Sequence, residues 1–179
     1  DIYLTDDTGA TLFFFNRNNL GGDPIEVLPF TVQNSTNTNI MVVRAAGTGN
    51  VKFKYIVFRG DQIKFNEYHT GTSTIVGQAN AKGAMTVGAV LYSNTPEFDY
   101  KRPADAEQFT VATFSSIGGT LVNGENRNKP DFIAPNGVNT TVQLGGLDVD
   151  LDLPLGKDNF FNFFGTSAAA PHAAAVAAL

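Results

Sequence analysis

Cysteine is absent from the 179 residues, which excludes disulfides, thiolate metal sites and a cysteine nucleophile. Basic charge is thin: 12 Lys and Arg stand against 17 Asp and Glu, a formal net charge of -5. A nucleic-acid or anionic-membrane surface needs clustered Lys and Arg, so no nucleic-acid partner is expected. No run approaches the roughly 20 apolar residues of a membrane span, and none is expected. Asp1 to Thr5 carry neither the basic nor the apolar region of a signal peptide, so a signal for export would lie upstream of this chain. Histidine is nearly missing too. Any chemistry that needs an imidazole has only His69 and His172 to draw on.

What is present is a foldable chain, 42% hydrophobic and long enough for one domain or two small ones. Its 18 Gly and 15 Phe, with only 16% charged residues, point to strands and loops rather than long helices. From Asp1 to Tyr68, short β-type runs alternate with polar turns such as Asp6-Asp7-Thr8-Gly9 and Asn34 to Asn39. The runs are Ile2 to Leu4, Leu12 to Phe15, Ile25 to Val32, Ile40 to Arg44 and Val51 to Phe58, a spacing that predicts a small sandwich. Phe13-Phe14-Phe15 reads as one of its buried strands. After Tyr68 the composition turns Gly- and Ala-rich, which places a boundary near His69. Ala84 to Val90 has the look of a central strand buried on both faces, and Phe109 to Phe114 and Asp131 to Ala134 are shorter candidates. The alanine-dominated tail predicts a helix from near Ser167, with Pro171 early enough to be tolerated. That helix meets no stop signal before Leu179, and the chain opens directly on strand-like residues, so it is expected to be part of a longer protein.

The stretch richest in chemistry is Gly165-Thr166-Ser167-Ala168-Ala169-Ala170-Pro171-His172. A serine at a helix start sits beside unpaired backbone N–H groups and the positive end of the helix dipole. Small neighbours let a substrate backbone approach. In acyl transfer, Ser167 Oγ would attack a carbonyl and the Ser167 backbone N–H would hold the oxyanion. Taken by itself, Gly165-Thr166-Ser167 is equally an ordinary cap on an alanine helix.

Its company adds weight, because the stretch resembles the serine motif of subtilases, the subtilisin-like serine proteases. Lys129-Pro130-Asp131-Phe132-Ile133-Ala134-Pro135-Asn136-Gly137-Val138 is similar to the segment that precedes that motif. Phe114-Ser115-Ser116-Ile117-Gly118-Gly119 is similar to the family's Phe-Ser-Ser turn, and Thr86-Val87-Gly88-Ala89-Val90 to its central strand. The landmarks stand in family order across residues 84–172. The resemblance implies an α/β fold over 69–179, a partial parallel sheet with the serine-motif helix, plus a small all-β, jelly-roll-like sandwich inserted over 1–68. It implies a secreted serine endopeptidase acting on peptide or protein substrates through an acyl-enzyme at Ser167. Val76-Gly77-Gln78-Ala79 is similar to the stretch lining the family's primary specificity pocket. Gly77, Gln78 and Thr166 are thereby implied as substrate-binding, although a Gly-rich run is as often a plain connection.

Departures from the family pattern set the limits. The triad order is Asp, His, Ser. His172 lies within the serine motif, where the family uses it structurally, and His69, in Glu67-Tyr68-His69-Thr70-Gly71, lacks the His-Gly-Thr start of the family's base. The catalytic Asp and His and the oxyanion Asn are therefore expected before Asp1, and the N-terminal part of the same catalytic domain is the expected partner. A serine hydroxyl without its base is a weak nucleophile, so 1–179 alone is expected to be inactive.

Two other classes compete with this reading. A non-catalytic module or pseudoprotease would use the sandwich to bind protein, carbohydrate or cell-surface material. An α/β-hydrolase esterase needs Gly-x-Ser-x-Gly, and Ala169 stands where the second glycine would be. Asp148, Asp150, Asp152 and Asp158 offer oxygen ligands of the kind Ca²⁺ takes. The same alternation suits a half-buried strand better, so no metal or other cofactor is expected. Phe160 to Phe164 reads as core packing beneath the serine loop.

Overall fold

The computed structural model describes residues 1–17, 21–58, 63–96, 110–143, 146, 148–149 and 158–179. These pack as two units, Asp1–Phe53 and Lys54–Leu179. Composition changes near His69 while packing divides after Phe53. Lys54 already belongs with later residues: its ammonium binds the Ser73 and Ile75 carbonyls at 3.1 and 2.7 Å and the Thr120 hydroxyl at 2.9 Å. Partial desolvation there lowers the Lys54 pKa.

In the first unit, β1 (Ile2–Asp6) lies between β2 (Leu12–Asn16) and β3 (Thr38–Val42) in an antiparallel sheet. Asp6 closes the β1–β2 turn, its carboxylate accepting the Thr8 hydroxyl at 2.8 Å and the Ala10 and Thr11 N–H groups at 3.0 and 3.1 Å. Hydrogen bonding from Thr11 and then Thr8 holds this carboxyl well below the usual range. Leu4 is buried at the sheet centre, but Phe14 keeps 43% and Phe15 54% of its surface exposed. Phe13-Phe14-Phe15 is thus a strand, as expected, without the expected burial.

Among the described residues this is the unit's one sheet. Ile25 to Val32 and Val51 to Phe58, expected as further strands of a sandwich, are irregular. Pro29 denies the first of these a ladder donor. Ile25, Val27, Val51 and Phe53 all face solvent, so neither segment has the one-sided burial that fixes a strand.

The second unit contains, in chain order, β4 (Val87–Leu91), β5 (Thr120–Val122), β6 (Glu125–Arg127), β7 (Phe132–Asn136), β8 (Val138–Thr140), β9 (Phe161–Phe163) and α1 (Thr166–Ala178). β4 and β7 run parallel, with Ala89 opposite Ala134 and Leu91 opposite Asn136. α1 packs on both, and the core there is Ala89, Ala134 and Ala169, edged by Val87, Ala112 and Ala173. Alanine methyl groups, with Val87 at the edge, separate helix from sheet. β5 and β6 form a hairpin closed by Asn123-Gly124 at φ 51° and 81°, the left-handed pair that an Asn-Gly turn supplies. β8 pairs antiparallel with β9.

The start of the parallel pair is fixed by charge. Lys129 Nζ donates to the Ala84 carbonyl at 2.6 Å and to Asp131 Oδ2 at 2.8 Å, and Asp131 Oδ2 also accepts the Thr86 N–H at 2.7 Å. The Lys129 hydrogen bond, then that N–H, lower the Asp131 pKa. At the other end of the unit, α1 begins at Thr166, so Pro171 is its sixth residue and lies beyond the first turn. With no N–H on Pro171, the Ser167 carbonyl lacks its i+4 partner. Among the described residues no helix is long and apolar enough to cross a membrane.

Candidate active site

The serine segment is tied to the end of the parallel pair by a buried amide. Asn136, 1% exposed, donates from Nδ2 to the Val90 carbonyl at 2.7 Å and accepts the Gly165 N–H on Oδ1 at 3.3 Å. One side chain thus joins β4, β7 and the residue before α1. Gly137 follows at φ 75°, and a Cβ there would stand 2.9 Å from both Leu91 Cδ1 and Phe164 Cε1, so conformation and space both demand glycine. A second buried amide, Asn162, donates to the Gly137 carbonyl at 2.9 Å and to Asn139 Oδ1 at 2.8 Å, and accepts the Val149 N–H at 2.6 Å. Reading the sequence for reactive groups passes over both asparagines. For Asn162 the signal was there: a polar residue inside a run of phenylalanines must find partners if it is buried.

Gly165 precedes α1 at φ 110°, ψ 170°, a region open in practice to glycine alone. Its carbonyl accepts the Ala168 N–H at 3.0 Å and the Ala169 N–H at 3.3 Å, which closes the first turn without a side-chain cap. The N–H groups of Thr166 and Ser167 have no acceptor within the helix and point out of its end. A Cβ at residue 165 would lie 3.7 Å from Ser167 N; glycine leaves that N–H approachable. Ser167 is exposed and Thr166 half-buried, while Ala168 and Ala169, 1% and 0% exposed, pin the turn to the sheet. Hydroxyl and N–H of one residue therefore stand together at the positive end of a helix dipole, where an anion is stabilised.

The other residues singled out from the sequence fall elsewhere. Gly77 and Gln78, both exposed, lie in a 3-10 turn, Gly77–Asn80, with Gly77 at φ 57°. Thr86 Oγ1 donates to the Ala79 carbonyl at 2.6 Å, which ties this turn to the residue before β4. The serine turn is tied to the far ends of β4 and β7, so of the proposed residues only Thr166 and Ser167 share an anchor. His172 Nδ1 lies 2.8 Å from the Ala168 carbonyl, one turn back on α1. His69 is exposed and stacks on Phe65, centroids 5.0 Å apart. In the Phe-Ser-Ser turn, Ser115 Oγ accepts the Ala89 N–H at 2.9 Å while the Ala89 carbonyl accepts the Ala112 N–H at 2.8 Å. That turn clamps the middle of β4 from its second edge.

Residues 16–179 match the model of the subtilase family of peptidases. The chain belongs to the subtilase family. No curated protein and no solved structure matches it. Membership makes this chain, at family level, a subtilase-type serine protease with an α/β catalytic domain, to which the parallel β4–β7 pair and α1 correspond in kind.

The acidic run of this subtilase is only partly described. Asp150 and Asp152 lie outside the described residues. Asp158 is occupied locally, Oδ1 accepting the Phe160 N–H at 2.8 Å and Oδ2 bonded to Asn139 Nδ2. Among the described residues, no three or more His, Asp and Glu side chains gather as a metal site.

Proposed function

We propose that Ser167 is the nucleophile of a secreted serine endopeptidase that cuts peptide bonds in peptide or protein substrates. The observation that carries this reading is the exposed Ser167 at the open N-terminus of α1, held over the ends of two parallel strands in a chain of the subtilase family. Ser167 Oγ attacks the scissile carbonyl carbon and passes its proton to a base. The oxyanion so formed accepts the Ser167 N–H, one preorganised donor of a kind that contributes about 2.7–4 kcal/mol to the transition state. Collapse, with the base returning that proton to the departing nitrogen, expels the amine and leaves an ester on Ser167, which water then hydrolyses.

The base is proposed to come from outside residues 1–179, as are the orienting Asp and the oxyanion Asn. His172 is engaged with the Ala168 carbonyl, and His69 stacks on Phe65. The N-terminal part of the same catalytic domain is then the partner this piece requires, and residues 1–179 alone are inactive. Thr166 flanks the substrate beside Ser167, and Gly77 and Gln78 contact it from their own turn. Residues 1–68 are proposed as the inserted jelly-roll-like sandwich, supported by the antiparallel sheet of β1, β2 and β3.

A second reading, a pseudoprotease or binding module, has one observation in its favour. The β1–β3 sheet leaves Phe14, Phe15, Ile40 and Met41 at least two-fifths exposed, an apolar surface suited to association. A fluorophosphonate probe, which reacts with activated serines, separates the two. On the intact native protein, labelling that disappears in Ser167→Ala supports the peptidase, and silence of residues 1–179 supports an external base. An intact protein that never labels would favour the binding module.

A further inference from the structure

We propose that Asn136 is a positioning residue for Ser167, its buried amide setting where α1 begins and hence where the serine hydroxyl and N–H stand. The inference rests on Ser167 being the nucleophile.

Asn136 and Asn162 are the two largest fully buried side chains described, and Asn136 alone of the pair reaches the serine segment. Both ends of its amide are in use, the donor on the carbonyl of Val90, the penultimate residue of β4, and the acceptor on the N–H of Gly165, two residues before Ser167. The Gly165 peptide needs such a restraint. Glycine holds φ 110° at no steric cost but also gives it up at none, so its torsions do not fix the entry into the helix. The Gly165 carbonyl in turn accepts the Ala168 and Ala169 N–H groups, so the orientation of this residue is passed directly to the first turn.

Packing cannot do the same work. The buried centre under the helix is the methyl groups of Ala89, Ala134 and Ala169, edged by Val87, Ala112 and Ala173. They set the height of α1 above the sheet, but their small, rounded surface resists sliding or rotation weakly. A directional bond at the helix entry supplies what that layer lacks.

The amide also has a chemical mimic that can be switched. A protonated carboxylic acid at 136 has one O–H donor for the Val90 carbonyl and one acceptor for the Gly165 N–H, like the amide. An ionised carboxylate keeps the acceptor but sets oxygen against oxygen at Val90. β4, β7, β8 and β9 carry no titratable side chain, and α1 carries only His172, held by the Ala168 carbonyl. Burial raises a carboxyl pKa above its ordinary value of about 3.9, so Asn136→Asp is neutral over a wider acid range than an exposed Asp.

The test compares fluorophosphonate labelling rates of the intact native protein, Asn136→Ala, Asn136→Asp and Ser167→Ala across pH, per folded molecule by circular dichroism. Asn136→Ala is expected to label about 10–100-fold more slowly while folded, the scale on which a nucleophile displaced by about 1 Å loses rate. The Asn136→Asp rate, as a ratio to the unaltered protein to remove titrations common to both, is expected to climb as pH falls. A merely structural role would lower the folded fraction and leave the rate per folded molecule unchanged. An Asn136→Ala protein that labels at the unaltered rate, or an Asn136→Asp ratio flat with pH, overturns the proposal while Ser167 stands. Should Asn136→Ala fail to fold, the Asn136→Asp ratio decides. An unaltered protein that does not label removes the nucleophile and this proposal with it.

Discussion

Ala169 of α1 and Ala89 of β4 share one core contact region, and each has 0% of its surface exposed. Ala134, opposite Ala89 across the parallel register, completes the layer. Interiors packed at this density feel a single added methylene. Ala169→Leu is therefore expected to destabilise the intact protein by about 1–3 kcal/mol, read as a shift in the urea midpoint, because the new side chain has sheet on one side and its own helix on the other. Since residue 169 lies two positions after Ser167, fluorophosphonate labelling of the remaining folded protein should fall as well.

Gly165→Ala tests the turn itself. The backbone at φ 110°, ψ 170° is a conformation that a side chain resists, at a cost of order 1–3 kcal/mol. The added Cβ would also stand 3.7 Å from Ser167 N, in the approach to the proposed oxyanion donor. Lower thermal stability together with slower labelling is the expected result, and unchanged labelling would argue against that N–H as the donor.

These features were unequally legible in the sequence. The β4 strand announced itself as a continuous apolar run, as a strand buried against its neighbours does, and α1 as an alanine tail, because alanine favours the helix even where it is exposed. The serine turn could be located from Gly165-Thr166-Ser167 with its upstream landmarks. What could not be read was anything set by long-range partners. Asn136 stood two residues past the expected strand Asp131 to Ala134, yet it bonds Val90, 46 positions earlier, and Gly165, 29 positions later. Phe13 to Phe15 reported a preference for burial without saying what covers it, and the strand formed exposed. Ile25 to Val32 had strand-like composition, but Pro29 breaks its donor pattern. Pro171 was expected at a tolerant early position; with α1 starting at Thr166 it falls in the interior, and the lost bond is the one to the serine's own carbonyl.

Gly118 provides a contrast in which no reactive residue takes part. A Cβ there would lie 2.3 Å from the Lys129 carbonyl oxygen and 2.5 Å from its nitrogen, and backbone cannot swing aside as a side chain can. Gly83 has nothing within 4 Å of its added Cβ. Gly118→Ala should destabilise by about 1–3 kcal/mol, as overpacking does, whereas Gly83→Ala should stay within about 0.5 kcal/mol of the unaltered protein. Denaturant midpoints of the two variants, taken side by side, check the pair.

Asp131 connects the same region to pH. Its carboxylate accepts from Lys129, chiefly, and from the Thr86 N–H, and both interactions favour the charged form. The folded pKa therefore lies below the unfolded one. Its contribution to stability is fully present above the ordinary carboxylate range and is lost as pH falls through the depressed folded value, since the unfolded chain then binds the extra proton. Lys129 makes the loss at neutral pH sharper in a variant: its side chain is only 6% exposed, so removing the carboxylate leaves an ammonium with the Ala84 carbonyl but no counter-charge among the described residues. Asp131→Asn should accordingly be less stable than the unaltered protein at about pH 7, with the difference shrinking as both are titrated toward about pH 2. Urea midpoints measured along that series give the sign directly. A difference that stays constant with pH would show that the Asp131 charge does not stabilise the start of the parallel pair.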